Sequence, residues 1–296
     1  MQKLDLRQED ILYSGHAACP GCIDALSVRH VLATLGPDTV AVVPPSCMAI
    51  ICGPQPFSGL RIPVYQPTLE SSAAAASGMR RALDARGRKD TQVVVLAGDG
   101  GTYDIGFQCL SSAAERNENI IYFCLDNEGY MNTGAQKSSS TPHHARTGST
   151  PAGKTTRKKN LTEIMAAHEI PYAATATAGF LPDLVRKVQK AKSMRGTRLI
   201  TLLIPCLDGW GVPEDQGLAI ARLAAQTGVF PLYEVEDGWR YTLNDPPKTR
   251  PVRDYLQPQR RYRGLSEEAV EELQREVDAG WARLAGRVES SAAAGQ

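Results

Sequence analysis

The sequence predicts an α/β protein built on a mostly parallel sheet flanked by helices. Three observations carry that prediction. Short β-branched runs alternate with helical patterns along most of the chain. The intervening helices are long enough to serve as crossovers, so the strands form βαβ units. Two strands end in turns carrying Gly, Asp and Asn, and such sheets bind ligands beyond the carboxyl ends of their strands.

In chain order, Thr39–Val43 reads as a strand ending in Pro44-Pro45. Leu69–Arg86 reads as an Ala-rich helix whose small residues suit close packing. Thr91–Leu96 is a strand, Tyr103–Arg116 a helix and Asn119–Leu125 a second strand. Leu161–His168 and Leu181–Ala191 read as helices and Arg198–Ile204 as a strand. Pro213–Thr227 and Ser266–Leu284 look helical. Gly134–Asn160 is rich in Ser, Thr, Gly, Pro and Lys without periodicity, and a loop of that length is functional or disordered. Asn244–Arg263, with several prolines and basic residues, reads as an extended arm before the last helix. The expected division is therefore a binding domain over 1–243 and a C-terminal arm and helix over 244–296. The small, polar tail Ser290–Gln296 is expected to fray.

The chain has 296 residues, enough for one large α/β domain or two smaller ones. A net charge of +1 points to neither a nucleic-acid partner nor a membrane surface. Met1–Ser14 is too polar for a signal peptide, and no apolar run approaches a membrane span. The cytoplasm is the default compartment. Seven cysteines, an odd number, argue against a disulfide framework and for thiols that are buried, catalytic or metal-bound.

The first chemical constellation is Val93-Val94-Val95-Leu96-Ala97-Gly98-Asp99-Gly100-Gly101-Thr102, a strand running into a Gly-rich turn and a helix. The next strand ends at Leu125-Asp126-Asn127-Glu128-Gly129-Tyr130. Asp99 and Asn127 thus stand at the ends of two strands. Glycines let a backbone approach phosphate, and a following helix N-terminus favours its charge. A carboxylate with an amide oxygen suits Mg²⁺. A bare Gly-Asp-Gly is more often an ordinary turn, but here 26 residues separate Gly100 from Asn127. That interval is similar to the signature of thiamine diphosphate (TDP) enzymes. The likeness implies Mg²⁺ held by Asp99, Asn127 and the carbonyl of Gly129.

The second constellation is cysteine. Cys19-Pro20-Gly21-Cys22 is a C-x-x-C pair before a helix. Alone it reads as a redox pair, half a Zn site or half an iron–sulfur site. Cys47 and Cys206 each follow a strand. If both strands belong to one parallel sheet, their thiols open on the face that carries Asp99 and Asn127. Four thiolates hold a [4Fe–4S] cluster or Zn²⁺. Cys109 and Cys124 read as small buried hydrophobes. Cys52 lacks a partner at ligand spacing.

Together these segments resemble the β subunit of pyruvate:ferredoxin oxidoreductase and related 2-oxoacid:ferredoxin oxidoreductases. Gly15–Cys22, Gly98–Gly106 and Asp126–Gly134 carry the resemblance. Ser138–Pro142 and the Cys206 segment continue it, with weaker likeness over Ile220–Glu236 and Asp254–Leu265. It implies a TDP-binding fold and a proximal [4Fe–4S] cluster on Cys19, Cys22, Cys47 and Cys206. It also places Gly100, Gly101 and Asn132 in the diphosphate and thiazolium pocket, with Asn132 and Thr133 near substrate. The implied reaction is oxidative decarboxylation of a 2-oxoacid, pyruvate or another small one such as oxalate. Electrons pass to ferredoxin, and coenzyme A is the implied acyl acceptor.

The implied partners are α-type and ferredoxin-like (γ/δ) subunits. They would supply the Glu that activates the aminopyrimidine and the arginines that bind the substrate carboxylate. Ile23 and Glu70-Ser71-Ser72 depart from the family pattern, which bears on substrate identity. A non-oxidative TDP-dependent decarboxylase subunit and a Zn-stabilised, non-catalytic scaffold are the alternatives. The basic residues Lys154, Arg157, Lys158 and Lys159 read as a solvated loop or as a docking patch for an acidic ferredoxin or a CoA phosphate. His143 and His144 read as surface or hydrogen-bonding residues.

Overall fold

The computed structural model describes residues 10–245 and 250–294. Its elements run α1 (Ile23–Leu35), β1 (Thr39–Val42), α2 (Cys47–Cys52), β2 (Val64–Tyr65), α3 (Ser72–Ala85), β3 (Gln92–Gly98), α4 (Phe107–Glu115), β4 (Ile120–Asp126), α5 (Leu161–Ala166) and β5 (Tyr172–Thr177). They continue as α6 (Leu181–Ser193), β6 (Thr197–Leu203), α7 (Leu207–Trp210), α8 (Gly217–Gln226), β7 (Leu232–Glu236), β8 (Arg240–Asp245), α9 (Val252–Leu256) and α10 (Glu267–Ala294). The sheet has the order β2-β1-β3-β4-β6-β5-β7-β8. Its first six strands are parallel, and β7 and β8 pair antiparallel at one edge.

Successive strand residues serve opposite faces. On β3, Val94 and Leu96 pack with Val28, Val31, Met48, Leu184 and Val188 of α1, α2 and α6. Val93 and Val95 pack with residues of α3, α4 and α5 on the other side. Helices on both faces explain why β4 and β6 are buried at every position.

Two expected elements are corrected. The helix expected from Tyr103 begins only at Phe107, because Gly100–Ile105 first winds as a wide π turn. Asp104 leaves helical geometry to receive hydrogen bonds from Tyr130 Oη at 2.9 Å and the backbone N of Ser139 at 3.2 Å. A side chain on Gly106 would overlap the Gly101 carbonyl. The tail expected to fray is helical as far as Ala294. Ser291 is buried, receives the N–H of Tyr241 at 3.2 Å and donates to its carbonyl at 3.1 Å.

The segment expected as an extended arm also folds back. Its described part contains α9 and a turn at Arg260–Tyr262, while 246–249 lie outside the described residues. Val252, Tyr255, Leu256 and Tyr262 join Trp210 and Ile220 in a third apolar cluster. The boundary drawn after residue 243 falls inside β8. Cys124 is buried as expected, and so is Cys52. Cys109 is only half-buried, packed against the α3–α4 side of the core. Among the described residues no helix is long and apolar enough to cross a membrane.

Candidate cofactor and metal site

Four neighbouring parallel strands, β1, β3, β4 and β6, deliver Cys47, Asp99, Asn127 and Cys206 to one edge of the sheet. The chain leaves β1 for β2 on one side and returns to β3 on the other. A crevice therefore opens beyond the carboxyl ends of β1 and β3, where open α/β sheets bind ligands.

Three oxygens converge there. Asn127 Oδ1 lies 2.8 Å from Asp99 Oδ1 and 2.8 Å from the Gly129 carbonyl. An octahedral Mg²⁺ with metal–oxygen bonds of about 2.1 Å has adjacent ligands about 3.0 Å apart. Without a cation, the amide is satisfied by the reverse orientation, with Nδ2 donating to both oxygens. Asp99 is 1% exposed. Burial holds its carboxyl well above the usual range and the charge of Asp126 adds to this, while Ser138 and Lys158 oppose it.

The neighbouring carboxylates are already compensated. Lys158 Nζ lies 2.8 Å from Asp126 Oδ2 and 2.8 Å from Glu128 Oε1. Arg261 Nη1 lies 2.7 Å from Glu128 Oε2, and both side chains are 3% exposed. Among the described residues Asp99 has no ion-pair partner, and the Ser138 hydroxyl donates to it. The donor set and the charge balance both fit a divalent cation.

The long loop 134–160 closes over this site as an ordered clamp. Ser138 Oγ donates to Asp99 and Ser140 Oγ to Asp126, and Thr141 Oγ1 donates to the Glu128 carbonyl at 2.7 Å. Lys154 and Lys159 turn inward to the carbonyls of Thr141 and Tyr103. Neither reading of the basic run fits these lysines, because buried acceptors draw them in. Arg157 stays 74% exposed and pairs with Glu276 at 2.8 Å. His143 and His144 stack at 3.8 Å and meet Glu276 and Glu272 at 3.1 and 3.0 Å, the hydrogen-bonding role expected of them.

Glu128 adopts a left-handed conformation, φ 65°, uncommon for a residue with a side chain. Its two cationic partners and its N–H bond to Asp126 Oδ1 at 3.1 Å hold that turn. Trp210 Nε1 donates to the Asn127 carbonyl at 2.8 Å, tying the turn to α7, and Arg261 lies 3.7 Å above the Trp210 ring. Ser138, Lys158, Glu128, Arg261 and Trp210 were not singled out from sequence as site residues. The signal for Lys158 was available: Asp126 and Glu128 flank Asn127 at a buried strand end and need counter-ions.

The four thiols are free. Cys19 is exposed; Cys22, Cys47 and Cys206 are half-buried and stand at the starts of α1, α2 and α7. Burial, then the charge of Asp24, raises Cys22 to about 11 and Cys47 to about 12. Cys206, Cys22 and Cys19 act on Cys47 in the same direction. Cys206 Sγ also accepts the Gly209 N–H at 3.3 Å. A single Zn²⁺ bonded to sulfur at about 2.3 Å needs its sulfurs about 3.8 Å apart. Among the described residues the one group of three such ligand atoms gathered within 4.8 Å is His143, His144 and Glu272.

Cys47 faces the cation site. Its thiol donates to Asn132 Oδ1 at 3.2 Å, and Asn127 Nδ2 lies 3.6 Å from its sulfur. Thr133 turns away, with its hydroxyl donating to Gln136 Oε1 at 2.6 Å. Gly101 is buried against Leu69. At Gly100 the space for a side chain is filled by the Tyr130 ring, whose hydroxyl donates to the Gly100 carbonyl at 3.1 Å. Gly100→Ala must displace that ring. It is expected to cost about 1–3 kcal/mol and to weaken Mg²⁺ and TDP binding, read by thermal unfolding and calorimetric titration. Unchanged values would show that the ring yields freely.

The family model described as "Thiamine pyrophosphate enzyme, C-terminal TPP binding domain" matches residues 55–202. Pyruvate synthase subunit PorB of Methanothermobacter thermautotrophicus is 46% identical, over 93% of this chain and 97% of that protein. Ketoisovalerate oxidoreductase subunit VorB of Pyrococcus furiosus is 43% identical, over 93% of each. The solved 2-oxoglutarate:ferredoxin oxidoreductase of Magnetococcus marinus superposes with a TM-score of 0.62 at 21% identity, over 92% of this chain and 97% of that one, a likeness of fold. By identity sustained over nearly its full length, the chain belongs to the family of PorB and VorB, the TDP-dependent β subunits of 2-oxoacid:ferredoxin oxidoreductases.

Proposed function

We propose that this chain holds Mg²⁺·TDP on Asp99, Asn127 and the Gly129 carbonyl, and a [4Fe–4S] cluster on Cys19, Cys22, Cys47 and Cys206. In this reading it is the cofactor-bearing subunit of a cytoplasmic enzyme that oxidatively decarboxylates a small 2-oxoacid and reduces ferredoxin. One observation carries it. Cys47 touches Asn132 at 3.2 Å and lies 3.6 Å from the amide of Asn127, whose oxygen belongs to the cation site. A thiol set abutting a diphosphate half-site serves electron removal. A non-oxidative decarboxylase has no use for it, and a scaffold has no use for the diphosphate site.

When bound, TDP supplies the carbon nucleophile and electron sink for cleavage next to a keto group, and the cluster supplies a one-electron acceptor. The protein's own contribution is placement. Asp99 and Asn127 orient the diphosphate through the cation. Ser138 and Lys158 hold those ligands in register, and Asn132 lines the gap between substrate and Cys47. Gly100 and Gly101 shape the diphosphate turn by letting Tyr130 and Leu69 pack directly against it, and Thr133 stiffens the turn that carries Asn132. The relatives' names, pyruvate synthase and ketoisovalerate oxidoreductase, favour pyruvate first and a branched 2-oxoacid second, with oxalate as a further small candidate. Coenzyme A is the proposed acyl acceptor. The α-type subunit supplies the aminopyrimidine Glu and the carboxylate-binding arginines, and γ/δ subunits relay electrons to ferredoxin. The isolated chain is therefore expected to be inactive, and turnover by it alone would refute that division of labour.

The test is absorption and reduced-state EPR of the anaerobically purified native complex, repeated with Cys206→Ser. Broad iron–sulfur absorption with one reduced-cluster signal lost in the variant supports the reading. Zinc, or no metal, on the four thiols removes the electron-transfer role and leaves a non-oxidative TDP enzyme.

A further inference from the structure

One amide stands between the two halves of the site. Asn127 presents Oδ1 to Asp99 and Gly129, at 2.8 Å each, and Nδ2 to Cys47 Sγ at 3.6 Å. Its main chain is pinned: Trp210 holds its carbonyl, and Lys158 and Arg261 hold the next residue. Exchange of the amide's oxygen and nitrogen leaves the side chain in place and changes only which atom each neighbour meets. With no cation, three oxygens face one another and the exchanged form is favoured, NH₂ toward Asp99 and Gly129 and oxygen toward the Cys47 sulfur. With a cation, the oxygen becomes a ligand and the NH₂ points at the sulfur.

We propose that Asn127 couples the two cofactors: seating Mg²⁺ on its oxygen aims its N–H at Cys47 and raises the reduction potential of the cluster that Cys47 holds. This rests on the Mg²⁺ and cluster assignments made above. A hydrogen bond donated to a ligand sulfur stabilises the extra negative charge of the reduced cluster, so the one-electron 2+/1+ couple moves upward. An oxygen turned toward that sulfur moves it downward. Reduction is then favoured only when the metal–diphosphate is in place, which ties electron acceptance to a loaded active site. Linkage makes the effect reciprocal: a reduced cluster must tighten Mg²⁺ by the factor by which Mg²⁺ favours reduction.

The test is an EPR-monitored redox titration of the native complex, stripped of Mg²⁺ and TDP and then reloaded. The wild type is expected to shift to a more positive midpoint on loading. Asn127→Asp keeps an oxygen for the metal but has no N–H, so its upward shift is expected to vanish. Equal shifts in both proteins, or none in the wild type, overturn the proposal. A second readout needs no variant. With asparagine amides labelled with ¹⁵N, the reduced wild-type cluster should show a ¹⁵N hyperfine coupling that appears with Mg²⁺·TDP and disappears without it. A coupling indifferent to loading overturns the switch. Absence of any cluster signal in the loaded wild type removes the cluster assignment and the coupling with it, whereas a cluster of unresponsive potential removes the coupling alone.

Discussion

Asp99→Asn is expected to leave a folded, assembled protein that binds Mg²⁺ and TDP at least about a hundredfold more weakly, since losses of 10–100-fold are already usual for residues one shell further out. The carboxylate supplies one corner of the oxygen triangle and, among the described residues, has no ion-pair partner, unlike Asp126 and Glu128 beside it. An amide of the same shape keeps the hydrogen-bond geometry and removes the charge. Stability should move the other way. Burial and Asp126 hold Asp99 above the usual carboxylate range, so the metal-free fold retains a proton that the unfolded chain has released. The folded state then binds more protons between the ordinary carboxylate value and the raised one, and metal-free stability falls as pH rises through that window. Asn127 and Gly129 offer only neutral oxygens, so Mg²⁺ affinity should climb with pH over the same window as the metal displaces that proton. Asp99→Asn should abolish both dependences and be no less stable when metal-free. Calorimetric titration with Mg²⁺ and TDP at several pH values, beside thermal unfolding, checks this. Undiminished affinity would remove Asp99 from the ligand set.

How much of the site could be read in advance depended on where its residues sit. Asp99, Asn127, Cys47 and Cys206 follow strands whose apolar runs are buried on both faces, so their positions at one sheet edge follow from strand order alone. β5 was missed because Tyr-Ala-Ala-Thr-Ala-Thr is rich in alanine and poor in β-branched bulk. β7 and β8 were missed because an antiparallel edge hairpin carrying Glu and Arg reads as turn and coil. The clamp over the site was unreadable for another reason. Residues 134–160 have no period, and their order comes from side chains reaching buried acceptors supplied by β4 and the π turn. Long, flexible lysines carry no positional signal until the carboxylates they neutralise are in place. The acidic pair around Asn127 was the clue, and it had to be read from the strand end outward to the loop.

The basic loop gives the sharpest contrast between surface and site. Lys158→Met is expected to destabilise the 126–160 region by about 3–5 kcal/mol, the usual cost of leaving a buried charge unpaired. Among the described residues Lys158 is the one cation paired with Asp126 and one of two paired with Glu128, and those carboxylates are 0% and 3% exposed. Arg157, one residue earlier, is solvated, so Arg157→Ala should change stability by less than about 0.5 kcal/mol. The loss at Lys158 should be local first. Hydrogen-exchange protection should fall across Asp126–Gly129 and the Ser138–Thr141 clamp before the sheet opens. Mg²⁺ affinity should fall with it, because the turn bearing Asn127 and Gly129 is held in its left-handed form from outside. Lys158→Arg, which keeps the charge, should recover most of the stability. Glu128→Gln added to Lys158→Met should cost less than the two single losses summed, since it removes one of the orphaned charges. A Lys158→Met protein as protected and as tight for Mg²⁺ as Arg157→Ala would show that the lysine lies in solvent and that Arg261 alone anchors the turn.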